Sequence, residues 1–128
     1  MTEWVSLAEA LAIHDAQLAE HGGSAGVRDM TVLESALARP QQLQAYGDPA
    51  PDLARLAAAL AFGIARNHAF VDGNKRTSLV ATQTFLILNG VDLQATHAEK
   101  VEIWTDIGAG KMDEDAIAEW IRKHLEKK

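Results

Sequence analysis

The segment Arg66-Asn67-His68-Ala69-Phe70-Val71-Asp72-Gly73-Asn74-Lys75-Arg76-Thr77 is unlike any other part of this chain. It gathers a histidine, an aspartate, a glycine and three cations between two apolar stretches, where packing alone would not ask for them. Upstream, Leu53, Leu56, Ala57, Leu60 and Ile64 recur at helical spacing with alanines between them. Small residues on nearly every face predict a helix packed on several sides. Downstream, the pattern resumes near Asn74 and runs through Leu79, Val80, Phe85, Leu86 and Leu88 to a stop signal at Asn89-Gly90. Two buried helices joined by a polar, charged loop therefore form the frame.

The rest of the chain reads as further helices around that pair. Ser6-Leu7-Ala8-Glu9 has capping-box spacing and opens a helix carrying Leu7, Leu11, His14 and Leu18, which should stop at Gly22-Gly23. Thr31-Val32-Leu33-Glu34 repeats the capping pattern, and Pro40 is expected to end this short second helix. Residues 41–51, with Gly47, Pro49 and Pro51, read as a surface connection. Thr96-His97-Ala98-Glu99 opens a helix through Val101, Trp104 and Ile107 to the glycines at 108 and 110. Asp113 caps a last one bearing Ile117, Trp120, Ile121 and Leu125. No strand pattern and no internal repeat is visible. The expectation is a single all-α domain over residues 1–128, of about six helices, with the catalytic loop between the two central ones.

Whole-chain properties narrow the function. A chain of 128 residues holds one hydrophobic core, and 48% apolar with 23% charged residues is an ordinary globular balance. With no cysteine, neither disulfides nor thiolate nucleophiles or ligands are available, which fits a cytoplasmic protein. The N-terminus shows neither a basic leader nor an apolar segment, so no secretion signal is expected, and the apolar runs are too short and mixed to span a membrane. A net charge of −6 argues against direct nucleic-acid binding, which needs a dense cationic face.

The loop itself supplies the parts of phosphoryl or nucleotidyl transfer. His68 supplies an imidazole, the side chain best suited to take a proton from an attacking hydroxyl. Asp72 is a hard oxygen ligand of the kind Mg²⁺ takes beside phosphate oxygens. Gly73 lets the backbone turn, and Asn74, Lys75 and Arg76 begin a helix whose free N–H groups favour a phosphate. Taken singly, each residue has a plainer reading: a loop histidine, an Asp-Gly turn, a solvated first turn. Yet Lys75 and Arg76 oppose the helix dipole unless an anion joins them. Taken together and in this order, the residues favour chemistry.

This string, H-x-F-x-D-G-N-x-R, resembles the signature of the Fic/Doc superfamily. Lys75 after the asparagine, where the adenylylating Fic enzymes have glycine, makes it similar to the death-on-curing (Doc) branch. The likeness extends to Ile13-His14-Asp15, Gly22-Gly23, the Gly26-Val27-Arg28-Asp29 turn, the stretch from Leu33 to Pro40 and the Phe85–Gly90 ending. It covers most of the chain to about Val91. The resemblance implies the all-α Fic fold and a toxin of a type II toxin–antitoxin pair. Such a toxin is a protein serine/threonine kinase that moves the terminal phosphate of ATP to a threonine of elongation factor Tu and blocks translation.

By that analogy His68 is the base, Asp72 holds Mg²⁺, and Gly73, Asn74, Lys75 and Arg76 cradle the phosphates of ATP. Arg66, two residues before the histidine, would assist them, and the region of residues 41–46 would lie at the edge that docks the target. The implied partner is a small Phd-like antitoxin with a DNA-binding N-terminal half. Two departures bear on the alternatives. Leu79 stands where adenylylating enzymes carry a second arginine, which weakens an AMP-transfer reading. No [S/T]-x-x-x-E-[G/N] inhibitory string occurs, so restraint should come from another protein. A Doc-like domain that only binds a partner is the other alternative, and the intact His68, Asp72 and Asn74 argue against it.

Overall fold

The computed structural model describes residues 1–127, with the side chain of Lys127 left aside. Six helices appear in chain order: α1 (Leu7–His21), α2 (Met30–Tyr46), α3 (Leu53–Asn67), α4 (Asn74–Leu88), α5 (His97–Gly108) and α6 (Glu114–Lys123). Two three-residue strands, β1 (Val91–Leu93) and β2 (Leu125–Lys127), pair antiparallel with Leu93 opposite Leu125. The chain is thus the expected six-helix domain with a minimal sheet added.

Polar side chains fix where most helices begin. Ser6 and Thr96 form reciprocal capping boxes with Glu9 and Glu99. Asp52 and Asp113 accept from the backbone N–H groups of Arg55 and Ala116. Each such cap satisfies a donor that helix geometry leaves free, worth about 1 kcal/mol.

The second helix departs from expectation at both ends. Asp29, not Thr31, is its cap, accepting from the Val32 N–H, so Thr31 lies inside the first turn. Pro40 does not end it. The helix runs on to Tyr46 with the Pro40 ring buried. Packing of that ring into the core offsets the missing hydrogen bond, and the connection to α3 shrinks to residues 47–52. The segment expected to be a loop at 41–46 is therefore helical.

The α3 helix is the centre of the molecule, packed by α2, α4, α5 and α6. Leu56, Leu60 and Ile64 are almost fully enclosed, as are six of its alanines. The small residues set how closely neighbours approach. A Cβ at Gly63 would lie 3.0 Å from the Ala36 Cβ of α2. Truncating any of the large core side chains to alanine should cost about 2–5 kcal/mol. The α4 helix lies against α3 and is locked by polar contacts within the core. Ser78 Oγ donates to the Ala61 carbonyl at 2.8 Å and accepts from Trp104 Nε1 of α5 at 2.9 Å.

The strands were not anticipated, and Leu125 was expected in the last helix. That helix ends at Lys123, with His124 stacked on Trp120 at 4.2 Å and the Gln94 N–H donating to the His124 carbonyl. Leu125 then pairs with Leu93, tying the exit of α4 to the end of the chain. Three residues are too few to show an alternating pattern in a sequence. Among the described residues no helix is long and apolar enough to cross a membrane.

Candidate active site

The loop between α3 and α4 begins with an unusual backbone. His68 closes α3 at φ 52°, ψ 50°, the left-handed conformation that glycine normally supplies at a helix end. For a residue with a Cβ this costs about 1–2 kcal/mol, so neighbouring structure must hold it. Arg28 does so from the α1–α2 connection. Its Nε donates to the His68 carbonyl at 2.7 Å and its Nη2 to the Asn67 carbonyl at 3.2 Å. These carbonyls belong to the last turn of α3, which lacks partners of its own. The backbone N–H groups of Arg28 and Asp29 both donate to the Ala69 carbonyl, and Val71 N–H donates to Gly26.

The middle of the loop is pinned from beneath. Phe70 is buried and stacked on the ring of His14 at 3.8 Å. His14 itself is 2% exposed, with Nε2 2.8 Å from the Asp72 carbonyl oxygen. A carbonyl only accepts, so that nitrogen carries the hydrogen. Asn74 closes the loop on itself: its Oδ1 accepts from the Phe70 N–H and its Nδ2 donates to the Phe70 carbonyl, each at 3.0 Å. The side chain of Asn74 is thus committed to shaping the loop.

Asp72 is held at the rim. Its carboxylate accepts from the backbone N–H of Ser24 at 3.2 Å and of Gly73 at 2.8 Å. These donors, Ser24 first, hold its pKa below the ordinary 3.8, with smaller help from the Arg76 and His14 charges. A Cβ on Gly23 would come 2.7 Å from Asp72 Oδ2, so glycine there gives the carboxylate its place.

Next comes α4, whose N-terminus has no side-chain cap, unlike the other five helices. Gly73 occupies the cap position at φ 79°, and the first backbone donor turned into the helix is Thr77, to the Gly73 carbonyl. The N–H groups of Asn74, Lys75 and Arg76 are left at the positive end of the helix dipole. Among the described residues, neither Lys75 nor Arg76 pairs with a carboxylate within 4.0 Å. An uncapped helix start carrying two cations that no carboxylate balances is electrostatically suited to an anion.

These groups converge on a cavity of about 450 Å³. His68, Asp72, Gly73, Asn74, Lys75 and Arg76 line it, facing Thr105, Gly108 and Ala109 from α5 and the turn after it. A second cavity of about 420 Å³ shares Asp72, Lys75, Arg76 and Thr105 and continues past Leu79, Val101 and Trp104. Of the residues expected at the site, only Arg66 lies outside both. Its Nη1 is 3.3 Å from the Gly108 carbonyl, on the wall behind the first cavity. Residues 41–46 form the last turns of α2 and contribute nothing to either cavity. Arg28 and His14 were not assigned functions from sequence. Both sit in stretches resembling the family, but their importance is visible only once the fold brings them under the loop.

Residues 4–86 match the family model described as Fic/DOC family. The chain is 44% identical over 99 residues to Toxin Doc of Mycolicibacterium smegmatis, covering 76% of each chain. It is 31% identical over 119 residues to Protein kinase doc of Escherichia phage P1, covering 93% of each. The chain therefore belongs to the Fic/DOC family, with Doc proteins among its relatives.

Proposed function

We propose that this protein is the toxin of a toxin–antitoxin pair and a protein kinase, moving the terminal phosphate of ATP to a hydroxyl on a protein of the translation machinery. The observation that carries the reading is the uncapped, cationic start of α4 opening on one cavity with His68 and Asp72. The names of the two relatives, one a toxin and one a protein kinase, point the same way.

In this reading the γ-phosphate rests on the N–H groups of Asn74 to Arg76, with Lys75 and Arg76 balancing its charge. His68 removes the proton of the incoming hydroxyl as its oxygen bonds to phosphorus and the bond to ADP breaks. Arg28, by holding the His68 backbone, sets where the imidazole stands. Asp72, ionised and facing the cavity, fits as a ligand of Mg²⁺, the ion supplying charge neutralisation at the phosphates. No cluster of three metal-binding side chains exists among the described residues, so nucleotide oxygens and water would complete that shell. This is the usual way Mg²⁺ is held at phosphates.

The second reading is transfer of AMP. Leu79, 8% exposed and lining the second cavity, offers no charge to a nucleotide there, which favours phosphate transfer. The target that fits the Doc resemblance is a threonine of elongation factor Tu, in the cytoplasm, with a small Phd-like antitoxin as the restraining partner. The test is mass spectrometry of purified elongation factor Tu after incubation with the protein and Mg·ATP. One added phosphate on a threonine is expected. An added AMP would replace this reading with the second, and an unmodified factor would remove the proposed target.

A further inference from the structure

Two of the three cations expected at the phosphates, Lys75 and Arg66, lean on the same short turn, and both do so over glycine. The α5 helix ends at Gly108, followed by Ala109 and Gly110. The methylene stem of Lys75 lies across Gly108. A Cβ there would stand 2.7 Å from Lys75 Cδ and 2.9 Å from Cγ. The Arg66 guanidinium lies against Gly110, where a Cβ would stand 3.1 Å from Nη1 and 3.3 Å from both Cζ and Nη2. Arg66 Nη1 also faces the Gly108 carbonyl at 3.3 Å, near the negative end of the α5 dipole. Glycine is a poor residue for a helical position, so local folding does not account for Gly108.

We propose that the turn of Gly108 to Gly110 is a seat for the side chains of Lys75 and Arg66, with Gly108 as the positioning residue that directs Lys75 to the nucleotide. Long aliphatic stems need an apolar surface to lie on if the charged end is to be directed. Gly108 provides that surface at the closest possible approach and lies in the wall of the phosphate cavity opposite α4. A methyl group at 108 collides with the middle of the lysine stem, not its mobile end. The lysine must then leave the wall. Gly110 has φ 79°, so a side chain there is strained irrespective of Arg66. Gly108 is therefore the position at which the seat is tested.

The inference rests on the nucleotide reading, and a double-mutant cycle separates the two. Mg·ATP binding is measured by calorimetry for wild type, Lys75→Ala, Gly108→Ala and the pair. Loss of one charged phosphate contact corresponds to a drop of about tenfold or more in affinity. Gly108→Ala is expected to weaken binding about as much as Lys75→Ala, and the double variant no further. Its melting temperature should be at least that of Lys75→Ala, since alanine suits a helix better once the lysine is gone. Gly108→Ala binding like wild type, losses that multiply in the pair, or a double variant that fails to fold while Lys75→Ala folds would each overturn the seat. Wild type that binds no ATP would overturn the nucleotide reading and the seat with it.

Discussion

Arg28 Nε donates to the backbone carbonyl of His68 at 2.7 Å, joining two residues forty apart in the chain. The bond holds a non-glycine residue in left-handed backbone and fixes the start of the loop that carries the proposed base. Arg28 lines neither cavity beside the loop, so its effect should pass through the backbone of Asn67 and His68 that it holds.

Arg28→Met is therefore expected to lower turnover by about ten- to a hundredfold, since small misplacements of a reacting group carry costs of that order. Nucleotide affinity should be unchanged, because the α4 cradle does not depend on Arg28. Steady-state kinetics beside ATP titration separates the two. A rise in KM for ATP with turnover intact would show that Arg28 serves the nucleotide instead.

Asn74→Ala should destabilise the fold by about 2–3 kcal/mol, because it strips partners from both backbone groups of buried Phe70. Asn74→Asp should be nearly as harmful, as a carboxylate cannot donate to the Phe70 carbonyl. Urea midpoints check both. A stable Asn74→Ala whose only defect is weak nucleotide binding would make Asn74 a ligand and not a brace.

Asp72 is predicted to stabilise the protein in a pH-dependent way. Its folded pKa lies below the ordinary 3.8, chiefly through the Ser24 N–H, so the unfolded chain takes up its proton first as pH falls. The advantage of wild type over Asp72→Asn should be constant from neutral pH to about 5 and shrink as pH drops through the folded pKa. Denaturation at several pH values reads this directly. A difference that grows below about pH 4 would contradict the sign.

Much of this was readable in the chain because helix starts are written locally. Ser6, Thr96 and Asp113 all cap as the sequence predicts. The second helix misleads because Thr31 and Glu34 mimic a cap two residues beyond the true one at Asp29, and because burial of Pro40 overrides its usual effect. The loop residues from His68 to Arg76 were legible as a set, since their charge has no place between two core helices. Their supports were not. Arg28, His14 and Gly108 reach the loop through tertiary contacts spanning from 33 to 58 residues in sequence, which no local pattern encodes.

The most direct measurement follows label from ATP into protein, with wild type and His68→Ala compared in the same bacterial extract. His68 is exposed, so the variant should keep the helical circular dichroism and melting temperature of wild type. With wild type, label from the γ-phosphate and not the α-phosphate should enter a protein acceptor, and His68→Ala should reduce this by about a hundredfold or more, the range for losing a general base. Entry of α-label, or full γ-transfer by a folded His68→Ala, would contradict phosphoryl transfer by this loop.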